Sequence, residues 1–158
     1  EAHINKPNAP TNDITIYWST NMSLGIILIQ KLITQSALAL NDNNDIEIIE
    51  KHHSRKLDAP SGTALMLADS INKVLSNKKH YTYDRHLRRE KRDALEIGIH
   101  SVRGGTIHGE HTVLFAGTDE IIEIKHTAMS KTIFATGAIK AIKFIHNKKP
   151  AFYTMDDL

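Results

Sequence analysis

The sequence contains no cysteine, which excludes disulfides and thiolate chemistry. It also lacks any run of about 18 apolar residues, and its first residues do not show the charged-then-apolar layout of a signal peptide. A membrane partner is therefore not expected, and a cytoplasmic protein is the simplest reading. Charge of one sign is scarce too, with 20 Lys and Arg against 18 Asp and Glu, for a net charge of +2. Only eight glycines occur, and none falls in a G-x-G-x-x-G turn of the kind that cradles a dinucleotide pyrophosphate.

The 158 residues suffice for one hydrophobic core, and 41% hydrophobic with 24% charged residues is near the globular average. The basic residues do cluster, in Arg85-His86-Leu87-Arg88-Arg89-Glu90-Lys91-Arg92. That run has no interleaved aromatics and is interrupted by acid, so nucleic acid is not the expected partner. It reads as a solvated loop or a cationic lip for a small anion.

Glu1 to Asn12 reads as a tail or cut edge, with two prolines and little periodicity. Ile14 to Trp18 is a short β-branched and aromatic strand. Ser23 to Leu40 reads as a helix, apolar almost all round and so expected to be buried on several sides. Asn41-Asp42-Asn43-Asn44 is a turn, followed by a strand from Asp45 to Glu50. Ser61 to about Ser76 keeps three-to-four apolar spacing and reads as a second helix. The charged stretch from Asn77 to Asp93 is an irregular excursion. Leu95–Val102, His111–Ala116 and Glu120–His126 read as strands separated by glycine-containing turns, which suggests a meander. A last helix spans Ser130 to His146. This order implies an α+β fold: a mixed, mostly antiparallel sheet with helices on one face. Val113 and Phe115 would face one way and Leu114 the other, so both sheet faces carry apolar residues and self-association is expected.

The chemistry-bearing stretch is Glu47-Ile48-Ile49-Glu50-Lys51-His52-His53-Ser54-Arg55-Lys56-Leu57-Asp58-Ala59-Pro60-Ser61-Gly62-Thr63-Ala64. It leaves a strand, places two histidines and a lysine in a loop, and opens a helix. Ser61 suits an N-cap, with the Gly62 and Thr63 N–H groups at the positive end of the helix dipole. Such an end binds carboxylate or phosphate. His53 and Lys56 could add cationic donors, so the site suits a small dicarboxylate, and a histidine beside a lysine can deliver a proton. Taken singly, the histidines could be ordinary loop residues and Ser61 only a cap. His52, His53, His108, Glu110 and His111 also offer metal-ligand atoms, but adjacent histidines point apart and no H-E-x-x-H or comparable spacing occurs, so no metal is expected.

The run from Glu47 to Ala64 resembles the signature of bacterial dihydrodipicolinate reductases, without a gap. Ser19-Thr20-Asn21-Met22-Ser23 resembles that family's crossover between nucleotide and substrate domains. Ser101-Val102-Arg103-Gly104-Gly105 with Gly109-Glu110-His111 resembles its sheet, and Phe134-Ala135-Thr136-Gly137-Ala138 its returning helix. The resemblance implies NADH- or NADPH-dependent reduction of 4-hydroxy-tetrahydrodipicolinate, a step toward diaminopimelate and lysine. It makes His52 the proton donor or acceptor and Lys56 the second proton donor. His53 would contact the substrate, and Ser61, Gly62 and Thr63 would hold a carboxylate. Ser19, Thr20, Asn21 and Met22 would lie against the cofactor, with Phe134 closing that pocket. A homotetramer assembled through the sheets is implied as well.

The resemblance also organises the chain. Residues 1–23 would be a remnant of a Rossmann-like nucleotide domain, 24–131 the substrate-binding and oligomerisation domain, and 132–158 the return of the nucleotide domain. With the nucleotide domain largely missing, apolar surface is expected around Trp18, Phe134 and Phe144. Met22 stands where the family commonly has an aromatic, and Lys131 where it has Arg, a point charge in place of a planar fork. Little turnover is expected from this chain alone, because hydride transfer needs a held cofactor. The rival reading is a non-catalytic remnant of the same family that assembles without turning over.

Overall fold

In the computed structural model the described residues are 13–40, 44–86, 88–154 and 157–158. The expected tail Glu1–Asn12, most of the turn at Asn41-Asp42-Asn43, Leu87 of the basic run, and Met155-Asp156 lie outside them. In chain order the elements are β1 (Ile16–Trp18), α1 (Leu24–Leu40), β2 (Asp45–His52), α2 (Gly62–Val74) and β3 (His80–Thr82). These are followed by β4 (Glu96–Arg103), β5 (Glu110–Ala116), β6 (Ile121–Thr127), α3 (Thr132–Ile145) and β7 (Phe152–Thr154). The chain divides into two units. One is Leu28–Met129; the other joins the chain up to Ile27 with Ser130–Leu158.

In the larger unit, five strands lie in the order β3-β4-β2-β5-β6. Alternation along β2 sends Ile46 and Ile48 to one face, in register with Ile97 and Ile99 of β4 and with Phe115 and Val113 of β5. All six are essentially inaccessible to solvent. Against them pack Ile29, Ile33 and Ala37 of α1 and Ala64, Leu67, Ala68 and Ile71 of α2. Both helices thus cover one face, as the apolar spacing predicts. Burial of each large aliphatic side chain stabilises by roughly 1.5–3 kcal/mol, and this core is the main force holding the unit together. Helix α2 starts because Ser61 caps it and stops where Ser76 and Asn77 take left-handed φ angles of 62° and 57°.

Three expectations are corrected. The sheet is not mostly antiparallel: β3-β4 and β4-β2 run parallel, β2-β5 and β5-β6 antiparallel. Nor do β4, β5 and β6 form a meander, because β2 lies between β4 and β5. The Gly104-Gly105 turn carries the chain across the end of β2. There the Gly104 N–H donates to the His52 carbonyl (2.9 Å), and the Ser54 N–H donates to the Gly105 carbonyl (3.2 Å). Glycine marks where a chain turns, not which strand it will pair with. Helix α1, finally, expected to be buried on several sides, leaves one side open, where Leu28, Leu32 and Leu38 are exposed.

The charged excursion is also more ordered than its composition suggests. It contains β3, and Arg92 ties it to the sheet by donating to Asp45, to Glu47, and to the carbonyls of Ile46 and Glu96. Arg85 pairs with the buried Glu96 carboxylate. Two arginines of the basic run are therefore staples rather than a lip.

In the smaller unit, β1 and β7 pair in parallel, Ile16 opposite Phe152 through Trp18 opposite Thr154. Helix α3 packs close to the chain at Met22: a methyl group placed on Gly137 would fall 1.7 Å from the Met22 carbonyl oxygen. Only glycine admits that approach. Trp18, Phe134 and Phe144 are half-buried here, and the exposed large apolar side chains among the described residues are Ile14, Ile139, Ile142 and Leu158. The apolar surface expected in this region exists, but on the outer side of α3, because the aromatics turn inward; Phe144, for example, packs edge-on against Tyr153.

Candidate active site

Toward the C-terminal end of β2 the helix-covered face changes character. After Ile46 and Ile48 the same alternation brings Glu50 and then His52 to that face. Register sets Ser101 and His111 beside Glu50, and Arg103 beside His52. A polar layer therefore sits on top of two apolar ones, where α2 begins.

Glu50 is completely buried. Arg103 grips it with a fork, Nη2 donating to Oε1 at 2.6 Å and Nη1 to Oε2 at 2.8 Å. His52 Nδ1 lies 2.6 Å from Oε2, and the Ser61 backbone N–H donates to Oε1 at 3.1 Å. Burial alone raises the pKa of this carboxyl, but hydrogen bonds from Arg103, Ser101 and His52 outweigh it, and the pKa ends below the ordinary value. An ionised carboxylate thus anchors both the strand end and the helix start.

Ser61 is itself buried, and its Oγ accepts the Ala64 N–H (3.2 Å), as an N-cap should. The same Oγ lies 3.2 Å from His111 Nε2. Desolvation, and secondarily the neighbouring His52, push His111 down to about 4, so it is neutral at physiological pH. The rings of His52 and His111 meet edge to face at 5.3 Å. Gly62 opens the helix with clear space beside its Cα, so its backbone is accessible to a ligand.

His53, Ser54 and Arg55 form a tight turn closed by the Lys56 N–H donating to the His53 carbonyl (3.1 Å). This returns Lys56 toward the strand end, where its Nζ pairs with Asp58 at 2.7 Å. That hydrogen bond holds Asp58 below its usual pKa. Arg103 Nη2 also donates to the Asp58 carbonyl (2.7 Å), fastening the loop to β4. His52, His53, Lys56, Ser61, Gly62 and Thr63 therefore all belong to one strand–loop–helix segment of the larger unit. Among the described residues no three His, Asp or Glu side chains are grouped as metal ligands.

Ser19, Thr20, Asn21, Met22 and Phe134 lie in the smaller unit. Ser19 Oγ donates to the Asn21 carbonyl (2.6 Å) and accepts the Asn21 N–H (3.2 Å), while the Ser23 N–H donates to Asn21 Oδ1 (2.8 Å). This is a tight, self-closed turn with an exposed Thr20 and a half-buried Phe134 within the same unit. The sequence includes no glycine-rich turn suited to phosphates.

Sequence reasoning gave Glu50 and Arg103 no role in the site and weighed His111 only as a metal ligand. The signal for Glu50 was present: a carboxylate at a strand position whose alternation demands burial must have a cationic partner. Which cation could not be read, since Arg103 comes from a strand 53 residues away.

The chain matches the family model described as dihydrodipicolinate reductase, C-terminus, over residues 25–158. It is 54% identical over 148 residues to the 4-hydroxy-tetrahydrodipicolinate reductase of Caldanaerobacter subterraneus subsp. tengcongensis, covering 94% of this chain and 59% of that protein. The proteins of the same name from Clostridium novyi and Staphylococcus aureus strain JH9 are 48% and 50% identical, with 92% and 100% of this chain covered and 57% and 65% of theirs. This chain thus spans less than two thirds of the length of these relatives. In structure it is similar to the dipicolinate-bound dihydrodipicolinate reductase of Paenisporosarcina sp. TG-14, with a TM-score of 0.71 and 28% identity, over 90% of this chain and 54% of that one. With the family model matching most of its length, this chain belongs to the dihydrodipicolinate reductase family and corresponds to its C-terminal part.

Proposed function

We propose that this chain binds the substrate and supplies the protons in NAD(P)H-dependent reduction of 4-hydroxy-tetrahydrodipicolinate. His52 exchanges the proton, Lys56 is the second proton donor, His53 contacts the substrate, and Ser61, Gly62 and Thr63 hold a carboxylate. The observation that carries this reading is the seating of His52 and the α2 N-cap on one buried carboxylate, with Lys56 returned to the same strand end. A helix N-terminus favours an anion, a lysine adds charge, and a proton carrier stands fixed beside them. In the structural relative the bound molecule is dipicolinate, a dicarboxylate of the kind this arrangement suits.

The nicotinamide cofactor, NADH or NADPH, supplies the hydride when bound. Ser19, Thr20, Asn21, Met22 and Phe134 are the residues that would contact it. Residues 1–23 and 132–158 would belong with the nucleotide-binding part of the protein, and residues 24–131 with substrate binding and assembly. The face of the sheet opposite the helices carries Ile49, Val102, Leu114 and Ile121, part apolar and part charged, and would pair copies into a homotetramer.

Calorimetry with pyridine-2,6-dicarboxylate tests the site. Binding should occur, and Lys56→Ala should weaken it by about tenfold to a hundredfold, the worth of one charge-assisted hydrogen bond. No binding to the unaltered chain, or equal binding by Lys56→Ala, would overturn the reading. NADH and NADPH oxidation on the same samples separates a working reductase from a chain that binds and assembles without turnover. Turnover that Lys56→Ala abolishes identifies the former.

A further inference from the structure

We infer that Glu50 is the positioning residue of this site: it fixes which ring nitrogen of His52 carries the proton, and it holds the start of α2 in place relative to that ring. The inference rests on the reading of His52 as a proton carrier and extends it to a residue that touches no substrate.

The geometry leaves few alternatives. A neutral imidazole has one N–H, and an ionised carboxylate can only accept. With Nδ1 at 2.6 Å from Glu50 Oε2, the proton sits on Nδ1, and Nε2 is the nitrogen left to exchange protons. Nε2 points toward Gly109, where even a methyl group would approach to 3.2 Å, so the missing side chain keeps space beside the reactive nitrogen. The other Glu50 oxygen accepts the Ser61 N–H. The proton carrier and the carboxylate-binding helix end therefore share one anchor, and neither can shift without disturbing the other.

Arg103 makes this anchor possible. Its fork offsets the charge of Glu50, and its further bond to the Asp58 carbonyl fixes the loop that carries Lys56. Stability alone does not call for such a pair, since a buried ion pair is commonly no more stabilising than apolar residues of the same volume. At this position the neighbouring Ile46 and Ile48 illustrate the apolar alternative.

Nitrogen-15 NMR of the histidine rings, at mildly alkaline pH where imidazole is neutral, tests the inference on the 158-residue chain. His52 should show Nδ1 protonated and Nε2 bare. A His52 protonated on Nε2 in the folded chain would overturn it. The second arm replaces the pair by apolar residues, Glu50→Leu with Arg103→Met, with folding checked by circular dichroism. His52 should then lose its single tautomer, and affinity for pyridine-2,6-dicarboxylate should fall at least tenfold. A folded double variant that keeps both properties would reduce Glu50 and Arg103 to a structural pair and overturn the inference. Should the double variant not fold, the ring measurement on the unaltered chain decides alone. Failure of the unaltered chain to bind the dicarboxylate would instead sink the proposed function and leave the tautomer result standing.

Discussion

Glu47 and Glu50 stand three residues apart on β2 and face opposite sides of the sheet. Glu47 lies on the side without helices, folded over its cross-strand neighbour Gly98 and held by Arg92 (2.9 Å) and His100 (2.7 Å), with 22% of its side chain still exposed. Glu50 lies under the helices with no exposure, held by Arg103, His52 and the Ser61 N–H. The residue type is the same and so is the strand; only the surroundings differ. Water shares the stabilisation of Glu47, so its bonds to Arg92 and His100 act as a surface staple. Nothing but protein stabilises Glu50, so its partners are obligatory.

The largest effect should come from breaking that obligation. Glu50→Ala leaves the Arg103 guanidinium without its counter-charge, at a cost of about 3–5 kcal/mol in urea unfolding. Glu47→Ala should cost only about 1 kcal/mol, near the upper limit for exposed pairs. Equal losses would show that the two environments are not different in kind. Glu50→Leu combined with Arg103→Met should recover most of the first loss, because no orphan charge remains.

Next in size is the pH response of the helix-covered side. His111 titrates near 6.5 unfolded and near 4 when buried against Ser61, with Glu50, His52, His126 and Lys56 around it. Between those values the unfolded chain binds a proton that the folded chain refuses, so stability falls as pH drops from about 6.5 toward 4. The loss is on the order of 3 kcal/mol at most. His111→Gln should flatten unfolding curves between pH 6.5 and 4.5, above the range where carboxylates dominate. An unchanged slope in that variant would show that His111 is not the group responsible.

How much of this was legible beforehand depends on the distance over which each signal acts. Helices α1, α2 and α3 follow from apolar spacing and the Ser61 cap, which are local, and their ends agree to within about two residues. The strand–loop–helix segment from Glu47 to Ala64 is likewise continuous in sequence, so His52, Lys56 and Ser61 could be named together. The placement of β2 between β4 and β5 could not be, because pairing is decided by contacts more than 50 residues apart. Strands β3 and β7, three residues each, are too short to carry a period. For the same reason Arg103 and His111, brought in by pairing alone, stayed invisible as partners of Glu50.

On the open side the effects should be smaller. A methyl group on Gly98 would fall 1.7 Å from Glu47 Oε2, so Gly98→Ala must push the carboxylate off its partners. The obstructing atom is the end of a flexible side chain, which can swing into water, and alanine is the better residue for a strand interior. The net loss should stay near 1 kcal/mol.

The smallest effect separates charge from packing. Glu47→Gln preserves shape and one acceptor but removes the charge seen by Arg92 and His100, and should cost about 0.5 kcal/mol at low salt. At 1 M salt the Debye length shrinks to about 3 Å, and the difference from the unaltered chain should vanish. The same comparison for Glu50→Gln should persist in high salt, because counter-ions cannot reach a carboxylate with no exposed surface. A salt-insensitive Glu47→Gln would place Glu47 in the same class as Glu50 and would mean that the open face is covered in solution, as a partner copy on that face requires.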